Sequence, residues 1–273
     1  MFEDITKVVL VTDLDGTLLT SEKKITEADF QAIRRFRDLG GRFTVATGRT
    51  VQTFEQYRAM LDINMPVIMY NGAGIYDYEK KRFMYTRPLP NDAKSYAEDV
   101  LGSMEGLGGE VLRTDGTYVF RNTDYQKLHV KLCNIVPNYC ELSEIPDGDW
   151  LKVLFAMAPE DVPYLEMLAR NKHYSGVGFV RTADILYEML PEGVSKGAAL
   201  AKYRELEGME DCTFVAVGDF DNDIEMLTEA DLGACPSNAE DSVKSKADLV
   251  LDNSNDTGAI EELIGRIIEK NKD

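Results

Sequence analysis

The sequence predicts an α/β protein: a doubly wound, Rossmann-like parallel-sheet core with an inserted α/β unit that carries an antiparallel sheet. Three observations predict it. Strand-like and helix-like segments alternate through the first third of the chain, the same alternation returns near the end, and the stretch between them has a helix-plus-hairpin rhythm. Two separated halves are therefore expected to build one sheet, with residues 1–82 and 189–273 as core and 83–188 as the insert.

The elements follow in order. Val8-Val9-Leu10-Val11-Thr12 is apolar and β-branched with almost no alternation, as expected of a central parallel strand covered on both faces, here over 7–12. A helix is expected over 27–39, with Thr26 as N-cap, Asp29 three residues on and Gly40-Gly41 as the stop. A strand over 42–47, a helix over 51–61 and a strand over 66–70 complete the first half. The second half repeats the pattern: strand 213–217, helix 223–229, short strands 232–235 and 249–251, and a last helix 258–269. Between the halves, a helix over 92–104 leads to strands 110–113 and 117–121 around the Asp115-Gly116 turn. A second helix, 160–170, then leads to strands 177–181 and 185–189, a weak internal duplication. The insert's Tyr187 and Met189 are read as core.

Composition narrows the function. The chain has 273 residues, 44% of them hydrophobic, enough to bury a substantial core, and a formal net charge of -18. That charge is the opposite of a nucleic-acid or anionic-membrane footprint, so neither is expected as a partner. No apolar stretch approaches the ~20 residues needed to span a bilayer. The short, mixed start before the first strand does not read as a signal peptide, and a reducing, cytoplasmic setting with free thiols is expected. Cys133, Cys140, Cys212 and Cys235 contain no CxxC pair, and the only histidines are His129 and His173. His129 and Cys133 are four apart and can share a helix face, but nothing completes a tetrahedral zinc set. Oligomeric state is not readable.

The chemistry gathers at strand ends. Asp13-Leu14-Asp15-Gly16-Thr17 follows the first strand directly, and ligand sites in open α/β sheets gather at such carboxyl ends, although Asp-Gly also makes an ordinary turn. A second acidic cluster, Gly218-Asp219-Phe220-Asp221-Asn222-Asp223, follows the apolar run Phe214-Val215-Ala216-Val217. Such oxygen-rich clusters suit a hard divalent cation such as Mg²⁺. A calcium loop of the EF-hand type fails, because Ile224 stands at its sixth position and Ala230 at its twelfth. Thr47-Gly48-Arg49 and Ser195-Lys196-Gly197 add a hydroxyl, a backbone turn and an ammonium suited to phosphoryl oxygens.

In this order the four signals resemble the motifs of the haloacid dehalogenase-like superfamily: Asp13 through Thr17, Thr47, Lys196, and Gly218 through Asp223. Thr47-Gly48-Arg49, Asn71-Gly72-Ala73 and the place of the insert resemble the Cof-type branch of sugar-phosphate and related phosphatases, in which the insert is a mobile cap. The resemblance covers essentially the whole chain and implies a Mg²⁺-dependent phosphatase acting on a small phosphorylated metabolite through an aspartyl-phosphate. It implies Asp13 as nucleophile and Asp15 as acid and base. Mg²⁺ would be held by Asp13, Asp15 through its backbone carbonyl, and Asp219, with Asn222 and Asp223 supporting the metal shell or orienting Lys196. Thr47 and Lys196 would bind the phosphoryl group, and Gly48, Arg49, Asn71 and Gly72 are candidates for the pocket wall, with a structural hydrogen-bonding role as the alternative for Arg49 and Asn71. Alternatives within the same four motifs are a phosphomutase of the phosphomannomutase kind and a catalytically silent phosphometabolite-binding module. The chain departs from many relatives at Gly233-Ala234-Cys235-Pro236-Ser237-Asn238-Ala239, where they carry Val-Ala-Met-Gly-Asn-Ala.

Overall fold

The structure is a computed structural model that describes residues 4–61 and 63–270. The expectation about the start of the chain therefore falls partly outside the described residues, at positions 1–3. In chain order the regular elements are β1 (Val8–Thr12), α1 (Glu27–Asp38), β2 (Arg42–Val45), α2 (Val51–Leu61), β3 (Val67–Met69), β4 (Gly74–Asp77) and β5 (Arg82–Thr86). They continue with α3 (Ala93–Ser103), β6 (Gly108–Arg113), β7 (Gly116–Arg121), α4 (Asp124–Leu132), β8 (Asn138–Tyr139), β9 (Trp150–Ala156), α5 (Val162–Lys172), β10 (Val177–Ala183) and β11 (Leu186–Pro191). The last are α6 (Lys196–Glu207), β12 (Thr213–Val217), α7 (Ile224–Glu229), β13 (Leu232–Cys235), α8 (Asp241–Lys244), β14 (Leu249–Val250) and α9 (Ala259–Lys270).

Two separated stretches of chain do build one parallel sheet, in the order β14-β13-β12-β1-β2. Every residue of β1 is buried, as its unbroken apolar run requires. On one side β1 pairs with β2 and on the other with β12, in a register that sets Thr12 beside both Val45 and Val217. The chain order reverses across β1, so the carboxyl ends of β1 and β12 flank a topological switch point, the usual place for a ligand in an open α/β sheet. Helix α1 starts at the expected cap, Thr26, whose hydroxyl accepts the Asp29 amide at 3.0 Å. It packs against α9, whose Glu261 amide donates to Asp29 Oδ1 at 2.7 Å.

A three-stranded sheet, β3-β4-β5, adjoins β2 through a single bridge between Ala46 and Ile68. The β4 and β5 strands were not expected from the sequence.

The insert carries its own six-stranded sheet in the order β10-β11-β9-β6-β7-β8, antiparallel except where β8 runs parallel to β7. Both expected helix-plus-hairpin units are present, as α3-β6-β7 and α5-β10-β11. The strand that joins them, β9, was not read from the sequence. One side of this sheet forms an apolar core with the two helices, from Ala97, Val111, Val153, Phe155, Leu165, Tyr187 and Met189. Tyr187 and Met189 are thus core residues, as expected. The chain divides into two compact units, one of Met1–Thr47, Gln56–Met84 and Ser195–Asp273, the other of Gly48–Glu55 and Tyr85–Val194. Among the described residues no helix is long and apolar enough to cross a membrane.

Candidate active site

The sheet register brings the sequence-predicted acids together. Asp13 follows Thr12, and its amide donates to the Val217 carbonyl at 2.8 Å, so the chain leaves β1 alongside the start of the Gly218–Asp223 loop. Asp13 is 6% exposed, yet its side chain is not isolated: Lys196 Nζ donates to its Oδ1 at 2.5 Å and to Asp223 Oδ1 at 2.7 Å. Lys196 reaches this position because it opens α6, behind the N-cap Ser195, whose hydroxyl accepts the Ala198 amide at 3.0 Å. Asp223 is also buried, and its second oxygen accepts the amides of Asp219 at 3.0 Å and Phe220 at 3.2 Å. It therefore closes the acidic loop and orients the lysine at the same time.

Asp219 completes the group. Its Oδ1 accepts a 2.5 Å hydrogen bond from Thr17, the fully buried threonine that ends the first motif. Gly16 explains why the two segments meet so closely: its φ is +93°, and a Cβ there would collide with the Asp219 carboxylate. One oxygen from each of Asp13, Asp219 and Asp223 lies within 4.8 Å of the others.

The electrostatics are unbalanced. Three carboxylates share one ammonium in a buried space, so burial first, with repulsion from Asp223 and Asp219, raises Asp13 well above the usual carboxylate range despite Lys196. Burial and Asp223 likewise push Asp219 up to about 7. For Lys196, burial opposes the charge, but Asp13 and Asp223 outweigh it and raise the ammonium above its ordinary value. A set of carboxylate oxygens with surplus negative charge matches what a hard divalent cation requires.

The remaining expected residues have the following positions. Asp15 stands two residues beyond Asp13, with Lys23 Nζ donating to its Oδ1 at 2.9 Å across the turn that follows. Thr47 is buried at the end of β2; its amide donates to the Ile68 carbonyl at 2.9 Å, and its carbonyl accepts the Asn71 amide at 3.0 Å. Asn71, buried with φ 55°, accepts a 3.2 Å hydrogen bond from Asn222 Nδ2, tying the end of β3 to the acidic loop. Asn222 thus touches Asn71, while Asp223 is the residue that holds Lys196. Gly72 lies where a Cβ would collide with the Ser195 carbonyl, so it lets the start of α6 pack against this turn. Gly48 and Arg49 lead into α2, where Arg49 is buried; they group with the inserted unit. Asp221 is exposed and accepts from Ser242.

Three contributors carry no sequence signal of their own. Thr17 lies inside the quoted motif but only its contact reveals its work; Lys23 is a surface lysine in a turn; Asn238 donates to the Gly16 carbonyl at 2.8 Å. Asn238 belongs to the segment that departs from the family pattern, so that segment still anchors the first motif.

A family description, haloacid dehalogenase-like hydrolase, matches residues 10–264. The chain belongs to that family. It is 28% identical to a pyridoxal phosphate phosphatase of Escherichia coli K12, over 91% of this chain and 95% of that protein. It is 29% identical to a 5-amino-6-(5-phospho-D-ribitylamino)uracil phosphatase of Bacillus subtilis 168, over 94% of each. Among solved structures, a haloacid dehalogenase-like hydrolase from Bacteroides thetaiotaomicron superposes with a TM-score of 0.81 at 25% identity, over 95% of this chain and 98% of the other. These relatives support an enzyme of the phosphoric monoester hydrolase class, and hydrolases of this family generally use a divalent metal.

Proposed function

We propose that the chain is a Mg²⁺-dependent phosphatase of a small phosphomonoester, working through an aspartyl-phosphate on Asp13. The observation that carries this reading is the buried Asp13 carboxylate, engaged by Lys196 at one oxygen and crowded by Asp219 and Asp223. Lys196 takes Oδ1, leaving Oδ2 as the oxygen that attacks phosphorus. The bond to the leaving alkoxide breaks as the Asp13–phosphorus bond forms, and Asp15 supplies the proton that turns the alkoxide into an alcohol. Asp15 then takes a proton from the water that displaces phosphate and returns to its starting state. Thr47 and Lys196 hold the non-bridging oxygens, Lys196 by charge and Thr47 by its place at the end of β2.

Asp13, Asp219 and the Asp15 backbone carbonyl would hold Mg²⁺, with Asp223 fixing Lys196 and Asn222 fixing Asn71. Bound there, the ion would offset the repulsion between nucleophile and phosphoryl group, about 4 kcal/mol per unit-charge pair at ~4 Å and an effective dielectric near 20. The inserted unit is the candidate cap, with core 1–82 and 189–273 and cap 83–188 as the working division. Gly48, Arg49, Asn71 and Gly72 remain candidates for the pocket wall, although Gly72 has a packing reason to be glycine.

Both relatives named above have small phosphomonoesters in their names, so pyridoxal phosphate and the phosphoribitylaminouracil compound head a phosphate-release screen over sugar phosphates, nucleotides and cofactor phosphates. Release of inorganic phosphate in step with substrate loss, dependent on Mg²⁺ and stopped by chelation, is the expected result. Isomerised substrate without free phosphate would replace the hydrolase reading with a mutase.

A further inference from the structure

A second organised cluster lies wholly within the inserted unit and has no part in the reaction proposed above. Cys133 caps the C-terminus of α4, four residues after His129, and its Sγ lies 3.6 Å from His129 Nδ1. The other ring nitrogen, Nε2, lies 3.1 Å from Oε1 of Glu110 on β6. Glu110 is fully buried, and its second oxygen accepts from Gln126 Nε2 at 2.7 Å. A carboxylate only accepts, so Nε2 carries a hydrogen and Nδ1 faces the sulfur.

This is a line, not a cage. The two ring nitrogens point in different directions, one to sulfur and one to carboxylate, so the three side chains do not converge on a metal. They have instead the relation of nucleophile, base and orienting acid that activates a thiol. Burial alone would lower the affinity of His129 for its proton, but the Glu110 carboxylate outweighs burial and raises it to about 10. Nδ1 of the ring is thus placed to relay a proton to or from the Cys133 sulfur. Cys133 itself is only half-buried, so a small reagent can reach it.

We propose that Cys133 is a reactive thiol, activated by His129 and aligned by Glu110, that exchanges with low-molecular-weight disulfides. In the exchange the thiol proton passes to Nδ1. The Cys133 sulfur attacks one sulfur of the disulfide, a new S–S bond forms, the old one breaks, and the departing thiolate takes the proton from Nδ1. No further oxidant is needed. The neighbouring Cys140 is the natural reference: it is also half-buried in this unit, but burial and the Glu144 and Glu141 carboxylates push its thiol up. Cys212, in the other unit, accepts from Arg42 Nη1 at 3.3 Å and is a separate case.

The test incubates the full chain with glutathione disulfide at neutral pH and follows the adduct on each cysteine by peptide mass spectrometry. Cys133 is expected to react at least about tenfold faster than Cys140, and His129→Asn or Glu110→Gln to slow Cys133 by about tenfold while leaving Cys140 unchanged. A merely structural role would give the opposite sign, since loosening the unit speeds both thiols; the wild-type ratio then decides. Equal rates at Cys133 and Cys140 in the unaltered protein would overturn the assignment, as would an unchanged Cys133 rate in a folded His129→Asn protein.

Discussion

The core and the inserted unit both bury charged side chains, but they treat them differently. In the core, Asp13, Asp219 and Asp223 face one ammonium, Lys196, and burial raises Asp13 and Asp219. In the insert, a buried ammonium meets a single carboxylate. Lys152 donates to Glu188 Oε1 at 2.7 Å, both side chains are 3% exposed, and Thr182 adds a 3.0 Å hydrogen bond to the same oxygen. His129 also faces one carboxylate, Glu110, but its other ring nitrogen meets Cys133 Sγ, so it is not a closed pair of this kind. A matched buried pair is a structural solution, because each desolvated charge is compensated within the protein. An unmatched group retains negative charge that only a further cation can offset, which is the mark of a site built to bind and react.

The largest expected effect comes from breaking the unmatched side. Asp13→Asn removes one of three crowded carboxylates and the proposed nucleophile together, so phosphate release falls at least ~10³-fold. Thermal unfolding of the metal-free variant is expected to move upward or stay unchanged, because a repelling charge is gone. A fall in stability with activity retained would reverse the comparison.

Breaking the matched side should do the opposite to stability. Glu188→Gln leaves the buried Lys152 ammonium without its counter-charge and is expected to cost about 3–5 kcal/mol in urea unfolding. Replacing both partners, Lys152→Met with Glu188→Leu, is expected to recover most of that loss. If the double variant is no better than the single one, the pair is not the reason for the cost.

The His129–Glu110 pair sharpens the comparison through pH. The folded pKa of about 10 lies above the ordinary histidine value of 6.5, so the folded state binds the extra proton. Its stabilising contribution is complete below about pH 6.5 and is lost as pH rises toward 10, with an upper bound of about 5 kcal/mol. Wild type should therefore lose stability across that window relative to His129→Asn. Parallel curves for the two proteins would remove the proposed charge from His129.

The smallest effect belongs to an exposed pair. Lys23 and Asp15 are 40% and 35% exposed, so Lys23→Met should change stability by under ~1 kcal/mol. Its effect should show in turnover instead, where loss of the contact that holds Asp15 lowers kcat more than it raises KM. An unchanged kcat would remove Lys23 from the positioning of Asp15.

Much of this was legible before any coordinates. Strong strands such as β1 and β12 announce themselves by unbroken apolar runs, β1 followed directly by Asp13 and β12 by Gly218 and then Asp219. β9 escaped because Lys152 interrupts its apolar run, and only the partner on β11 explains how a lysine is buried there. The β4 and β5 hairpin escaped because β5 is only half-buried and too mixed for a clear period.

Local order along the chain determined the family and the strand ends and singled out Asp13, Asp15, Thr47, Lys196 and Asp219 as candidate site residues, because residue type and spacing are one-dimensional properties. Tertiary structure decided how the acids divide their oxygens. In sequence Asp219 and Asp223 are equivalent members of one loop, but Asp223 gives its oxygens to Lys196 and two backbone amides, while Asp219 is bound by Thr17 and pressed against Gly16. It also turned His129 and Cys133, four residues apart on one helix, into a line ending at Glu110 on a distant strand. A carboxylate's work depends on what fills its lone pairs, and those partners arrive from segments tens to hundreds of residues away.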